Sequence, residues 1–128
     1  MRLLLDTHAF LWWIEDDRAL GSSARATIDV PTNPVYVSAA SAWEIAIKRA
    51  KGTLEAPRGD IATWIAQEGF AELEIAVRHG SAAGALPLHH RDPFDRVLVA
   101  QAQLEDMTLV TADPALAAYD VEILRADR

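Results

Sequence analysis

Apolar positions follow two different spacings along this chain. Short runs such as Leu3-Leu4-Leu5 and Val35-Tyr36-Val37 are typical of strands, whereas apolar residues three and four positions apart are typical of helices. The first spacing predicts strands at residues 2–6, 35–38, 70–75, 108–110 and 121–124. The second predicts helices at residues 7–16, 22–30, 40–51, 60–68, 77–85, 92–105 and 114–118, with loops at residues 31–34 and 86–91.

Helix-boundary residues agree with this division. Gly52 and Gly69 are good C-terminal signals for the helices before them. Asp92 followed by Pro93 is a favourable N-cap and first-turn pair. Because strands alternate with helices, we expect an α/β fold with a mainly parallel central sheet that helices cover on both faces.

Length and composition narrow the class of protein. The 128 residues predict one domain spanning residues 1–128, and an apolar content of 51% is enough for a packed core. The absence of cysteine excludes disulfides, a thiol nucleophile and cysteine-bound zinc. No apolar run approaches the ~20 residues that a membrane-spanning helix needs. Asp6 and Glu15 interrupt the apolar start, so we expect a cytoplasmic protein without a signal peptide.

Four acidic residues lie at the ends or edges of apolar segments. They are Asp6, Glu44, Asp95 and Asp113. Asp6 and Asp113 each follow a predicted strand, and ligands of parallel sheets bind at the carboxyl ends of the strands. If the four carboxylates converge, their repulsion requires a cation. Such a site would bind Mg²⁺ or Mn²⁺ and could cut phosphodiester bonds.

Each of these acids also has a purely structural explanation. Asp6 and Asp113 both precede predicted helices and make good N-caps. Asp95 is favourably placed against the dipole of its helix. Glu44 has Lys48 four residues later, which is the spacing of an exposed ion pair. Apolar residues on several sides of that helix instead suggest that Glu44 is partly covered, and a covered glutamate needs a cation or hydrogen-bond donors.

The net charge of −7 argues against broad binding of nucleic acid, because phosphate contacts need a basic surface. A divalent ion bound by the four acids would offset part of that charge. Local basic groups are Lys48, Arg49 and Lys51 in one run and Arg91 and Arg96 in another. Lys48 and Arg96 are candidates for contact with a backbone phosphate, and simple ion pairs with neighbouring acids are the alternative.

Other catalytic motifs are missing from the sequence. The four histidines show no zinc-ligand spacing, and the adjacent pair His89-His90 is expected in a solvated loop. The sequence contains neither a Gly-x-Ser-x-Gly nucleophile motif nor a glycine-rich phosphate loop. A phosphatase or phosphotransferase is weakened because the residue two after Asp6 is His8 rather than a second aspartate.

The segments that carry the four acids resemble those of PIN-domain nucleases, and more specifically the VapC-type ribonuclease toxins of bacterial toxin–antitoxin pairs. The matching segments are residues 3–13, 38–48, 91–102 and 109–113, in order and at family-like spacing. The resemblance covers essentially the whole chain. It implies a PIN-like three-layer sandwich in which helices flank the sheet.

The resemblance also implies a site and a reaction. It assigns the metal-site acids to Asp6, Glu44, Asp95 and Asp113, with Mg²⁺ or Mn²⁺ as the cofactor. Asp92, three residues before Asp95, is then the helix cap beside the site. The implied activity is that of an endoribonuclease that leaves a 5′-phosphate and a 3′-hydroxyl.

Two threonines are expected to support the acidic site, and the resemblance also implies partners. Thr7 and Thr111 are expected to hydrogen-bond the site carboxylates or a ligand water. The resemblance implies a cognate antitoxin protein, a homodimer and an RNA substrate. A degenerate PIN-like module that binds RNA or protein without cleavage is the alternative, and the intact set of four acids argues against it.

Overall fold

A parallel sheet organises the residues that the computed structural model describes, which are 1–55 and 59–128. Its strands are β1 (Leu3–Leu5), β2 (Val35–Ser38), β3 (Ala71–Leu73), β4 (Thr108–Thr111) and β5 (Ile123–Arg125). They lie in the order β3-β2-β1-β4-β5, and each neighbouring pair is parallel. The prediction of a mainly parallel central sheet is therefore confirmed.

Helices connect the strands where the apolar spacing predicts them. They are α1 (Thr7–Ile14), α2 (Ser22–Ile28), α3 (Ala39–Ala50), α4 (Ile61–Gln67), α5 (Val77–Ala85), α6 (Pro93–Glu105) and a short 3₁₀ helix at Pro114–Ala118. None of the helices in the described part of the chain combines the length and apolar character needed to cross a bilayer.

The predicted ends of two strands need correction. Strand β3 is shorter than residues 70–75, and β5 begins at Ile123 rather than at residue 121. Val121 lies in a turn, where its amide donates to the carbonyl oxygen of Tyr119 (2.9 Å), and its side chain packs against the core. Its apolar character therefore reflects burial rather than strand pairing.

The alternation of side chains along β1 divides the core into two halves. Leu3 and Leu5 pack on one face of the sheet with Phe10 of α1, whereas Leu4 packs on the other with Leu98 of α6. All three leucines of β1 are fully buried because helices cover both faces. The predicted three-layer sandwich is confirmed.

The strand order also fixes where a ligand can bind. From β1 the chain moves outward through β2 to β3, and it then returns to place β4 on the other side of β1. This reversal opens a crevice at the carboxyl ends of β1 and β4, which is where open α/β sheets bind ligands. Asp6 directly follows β1, and Asp113 lies two residues beyond β4.

Candidate active site

A cleft of about 420 Å³ lies at this edge of the sheet and is called the acidic cleft below. Five carboxylates and one lysine contribute to its lining, namely Asp6, Glu44, Asp92, Asp95, Asp113 and Lys48. The structure thus brings together the four acids singled out in the sequence, although they come from distant parts of the chain. His8 and Trp12 also line the cleft, and their position was not foreseen.

Asp6 combines a structural task with a place in the cleft. One carboxylate oxygen, Oδ1, accepts a hydrogen bond from the amide of Ala9 (2.8 Å) and so caps α1. The residue is only 6% exposed, and this burial raises the pKa of its carboxyl group. Hydrogen bonds from Thr111 and from the Ala9 amide oppose that rise but do not cancel it. Capping and a role in the cleft are therefore compatible.

Glu44 is held in place through both of its carboxylate oxygens. Its Oε1 accepts a hydrogen bond from the hydroxyl of Thr7 (2.5 Å), and Oε2 lies 2.6 Å from Nζ of Lys48. The Thr7 hydroxyl also lies 3.1 Å from the hydroxyl of Ser41. Glu44 is 4% exposed, so the ion pair with Lys48 belongs to the cleft rather than to a solvated helix face.

Asp95 stands in the first turn of α6, beside the cap of that helix. Asp92 provides the cap by accepting hydrogen bonds from the amides of Phe94 (2.8 Å) and Asp95 (3.3 Å). Burial raises the pKa of Asp95 to about 7, and the negative charges of Asp92 and Asp6 contribute to the rise. Full ionisation of Asp95 at neutral pH therefore requires added positive charge in the cleft.

Asp113 closes the other side of the cleft. Its Oδ1 accepts a hydrogen bond from the amide of Ala115 (2.9 Å) and caps the 3₁₀ helix, while its own amide donates to the Thr111 hydroxyl oxygen (3.1 Å). Thr111 therefore contacts Asp113 through this bond and Asp6 through its side chain. Thr7 and Thr111 both touch candidate acids, as residues that orient a site commonly do.

His90 is a further contributor that the sequence did not indicate. Its Nε2 lies 2.8 Å from Oδ2 of Asp113 and 3.3 Å from Oδ2 of Asp95. One potential ligand atom from each of these three residues lies within 4.8 Å of the other two. The expected solvated loop is correct for exposed His89 but wrong for His90, whose side chain is 18% exposed. Its place two residues before the cap of α6 is the signal that could have revealed it.

Arg96 does not reach the acidic cleft, which corrects the predicted phosphate contact. Its guanidinium donates to the carbonyl oxygens of Ala83 (2.9 Å) and Leu86 (3.0 Å) and to those of Pro87 (3.0 Å) and His90 (3.2 Å). These bonds direct the N–H groups of the Arg96 guanidinium to backbone carbonyl oxygens. Arg96 thus holds the loop that presents His90, whereas Lys48 does line the cleft.

The polar atoms that line the acidic cleft are suitable ligands for a hard divalent cation. Carboxylate oxygens predominate among its polar groups, and they are the ligands that Mg²⁺ and Mn²⁺ prefer. Asp6 and Asp95 both have raised pKa values because burial disfavours their charged forms. A cation would relieve both the burial cost and the mutual repulsion.

Comparison with known proteins adds independent evidence. Residues 3–122 match the family described as PIN domain. A search of curated proteins gave no match.

Several solved structures share the fold along almost the full length of the chain. VapBC2 from Rickettsia felis, bound to a DNA fragment from its promoter, aligns with a TM-score of 0.68 at 13% identity, covering 97% of this chain and 98% of that one. A toxin–antitoxin complex from Klebsiella pneumoniae gives 0.67 at 16% identity, covering 97% of both chains. FitAcB from Neisseria gonorrhoeae gives 0.63 at 18%, also covering 97% of both. At these identities the likeness concerns the fold.

Proposed function

Because this chain belongs to the PIN domain family, we propose that it is a metal-dependent endoribonuclease and the toxin of a toxin–antitoxin pair. The observation that carries the proposal is the acidic cleft, where five carboxylates surround the crevice between β1 and β4. Asp6 and Glu44 are buried and the other three acids are partly buried, and such an excess of carboxylates over the single lysine of the cleft is costly unless the site binds a cation.

Mg²⁺ or Mn²⁺ is the proposed cofactor. Asp6, Asp95 and Asp113 would hold the ion directly or through water, and Glu44 would ligate it or orient the attacking water. When bound, the ion makes a coordinated water more acidic and neutralises charge on the phosphate of the scissile bond.

The chain's own side chains prepare the cleft for a polyanionic substrate. The contacts of Glu44 with Thr7 and Lys48 fix both oxygens of its carboxylate, so its orientation is set before RNA arrives. Lys48 is 38% exposed, which leaves its ammonium able to meet a backbone phosphate at the mouth of the cleft. The hydrogen bond to Glu44 raises the pKa of Lys48 and keeps that charge in place.

The proposed partners are an RNA substrate, a cognate antitoxin and a second copy of the chain. Structural neighbours described as toxin–antitoxin complexes support the antitoxin. The homodimer rests on the resemblance to VapC-type toxins. A protein partner that covers the cleft would keep such a nuclease inactive.

The test is cleavage of a mixed pool of total RNA by purified protein free of any partner. Reactions would contain Mg²⁺, Mn²⁺ or a chelator, and they would compare wild type with Asp95→Asn. The matched control is Asp120→Asn, because Asp120 is exposed and does not line the cleft. We expect discrete fragments that require metal, survive Asp120→Asn and decline at least about 100-fold with Asp95→Asn.

Intact RNA in every reaction, from protein shown to be folded and free of antitoxin, would contradict the proposal and favour a binding module without cleavage. Fragments that persist in chelator, or that Asp95→Asn leaves unchanged, would place the activity outside the acidic cleft. Release of free phosphate without RNA fragments would instead indicate a phosphatase.

A further inference from the structure

The imidazole of His90 occupies the gap between two of the proposed ligands. Its Nε2 lies 2.8 Å from an oxygen of Asp113 and 3.3 Å from an oxygen of Asp95. Those carboxylates come from different elements, one from the segment after β4 and the other from α6. The ring is thus the group that joins the two sides of the acidic cleft.

The hydrogen bond at the other ring nitrogen, Nδ1, determines whether Nε2 of His90 is a hydrogen-bond donor or an acceptor toward these acids. The amide of Asp92 donates to Nδ1 of His90 (3.0 Å), so Nδ1 carries a lone pair. A neutral imidazole then bears its hydrogen on Nε2, which donates to Oδ2 of Asp113 and lies 3.3 Å from Oδ2 of Asp95. In a histidine that binds a metal, one ring nitrogen has no hydrogen and contacts the ion, and the other ring nitrogen usually donates to an oxygen acceptor. In this arrangement His90 is a donor between acids rather than a metal ligand.

Hydrogen bonds hold the backbone around His90 in place. The amide of His90 donates to the hydroxyl oxygen of Tyr119 (3.0 Å), and its carbonyl oxygen accepts from Arg96 (3.2 Å). The Tyr119 hydroxyl also donates to the carbonyl oxygen of Pro87 (2.8 Å). These bonds anchor the loop that presents the ring to Asp95 and Asp113.

We propose that His90 stands in for the divalent cation between Asp95 and Asp113 while the cleft holds no metal, and that the ion displaces its ring on binding. The inference rests on the proposed metal site. The two oxygens that face Nε2 are those that a cation between the two acids would need. His90 therefore keeps the metal-free cleft assembled and lowers its affinity for the ion.

The test is titration of the RNA-free protein with Mn²⁺, with heat of binding as the readout. His90→Ala removes the competing donor, so we expect it to bind Mn²⁺ at least about tenfold more tightly than wild type. His89→Ala is the matched control, because the exposed ring of the neighbouring His89 contacts Tyr119 edge-on, whereas the ring of His90 contacts Asp95 and Asp113. We expect its affinity to equal that of wild type.

A second measurement needs no substitution and covers the case in which His90→Ala does not fold. Nitrogen NMR of the wild-type imidazole should show hydrogen on Nε2 in the metal-free protein and loss of its hydrogen bond when diamagnetic Mg²⁺ is added. A metal-bound, unprotonated Nε2 would overturn the proposal and make His90 a ligand. A ring signal that Mg²⁺ leaves unchanged would also overturn it.

The outcomes separate this inference from the proposed function. Unchanged or weaker Mn²⁺ binding by His90→Ala, with normal binding by wild type, overturns only the role of His90. Wild-type protein that binds no Mn²⁺, or whose binding persists in Asp95→Asn, overturns the proposed metal site and with it this inference.

Discussion

Two histidines of this chain make nearly the same contacts in two different surroundings. In the acidic cleft, Nδ1 of His90 accepts from a backbone amide while Nε2 faces Asp113. Between α5 and α6, Nδ1 of His79 accepts from the amide of Ala76 (2.8 Å), and Nε2 lies 3.0 Å from Oε1 of Glu105. The local geometry therefore does not distinguish a functional histidine from a structural one.

Charge balance is what differs between the two regions. Glu105 also pairs with Arg78, and hydrogen bonds from His79 and then Arg78 lower its pKa. In the acidic cleft five carboxylates share one lysine, and the pKa of Asp95 rises to about 7. A histidine–carboxylate pair that completes its own charge balance stabilises the fold, whereas one within an excess of acids marks a candidate site.

The largest effect that would test this contrast is the pH dependence of the free energy of unfolding, measured for wild-type protein kept free of metal by a chelator. The folded-state pKa of Asp95, about 7, lies above its ordinary value of 3.8, so the folded protein holds this proton more tightly than the unfolded chain. The free energy of unfolding should therefore fall as pH rises through this window. From about pH 5 to about pH 8 we expect a loss of about 2–3 kcal/mol, measured by urea denaturation.

Asp95→Asn should remove most of that slope, and saturating Mg²⁺ should do the same in wild type. The pH dependence of stability that Glu105 contributes has the opposite sign. Its lowered pKa contributes stability above its ordinary value of 4.5, and this contribution is lost as pH falls through the folded-state value. A wild-type slope that Asp95→Asn leaves intact would contradict the assignment to Asp95 and point to another group, such as Asp6, whose pKa is also raised by burial.

A smaller effect should follow from removing the charge of the balanced pair. Glu105→Gln weakens the hydrogen bonds to His79 and Arg78, so we expect the free energy of unfolding to fall by about 1–2 kcal/mol. Cleavage of RNA per folded molecule should not change, because Glu105 does not line the acidic cleft. Chemical denaturation and the RNA assay provide the two readouts.

Glu122→Gln is the control for this change, because Glu122 is exposed and its substitution should alter stability by less than about 0.5 kcal/mol. If Glu105→Gln reduced cleavage without reducing stability, the His79 pair would have a functional role and the contrast between the two regions would fail.

The fold was predictable because its signals are local. The apolar run Leu3–Leu5, the periodic spacing in α6 and the cap formed by Asp92 each act within a few residues. The order of the strands has no such signal. It depends on pairing Leu3 with both Val35 and Thr108, which are distant in sequence, and apolar spacing alone left it open.

The site was predictable only in part, for a related reason. Acids that follow strands converge because the sheet is parallel, so Asp6 and Asp113 could be anticipated. The contact of His90 with Asp113 spans 23 residues of sequence and has no periodicity. The predicted phosphate contact placed Arg96 beside Asp95 in the cleft. Adjacent residues on a helix point about 100° apart, so Arg96 does not share the direction of Asp95.

Lys48 is the remaining residue with two explanations, and it offers the smallest test. It pairs with Glu44 at 2.6 Å inside the acidic cleft, and its side chain is 38% exposed. Solvent reaches the Lys48 end of this pair, but the Glu44 carboxylate is buried and would keep only its bond to Thr7, so Lys48→Ala should lower the free energy of unfolding by about 1 kcal/mol.

If Lys48 also meets a phosphate of the RNA, the same substitution should slow cleavage about fivefold, beyond any loss of folded protein, and weaken the dependence of cleavage on salt. Lys51→Ala is the control, because exposed Lys51 directly follows the same helix as its C-cap but does not line the cleft. Equal cleavage by both variants would reduce Lys48 to an ion-pair partner of Glu44. It would then resemble Arg78 beside Glu105, a cation that balances a carboxylate without meeting the substrate.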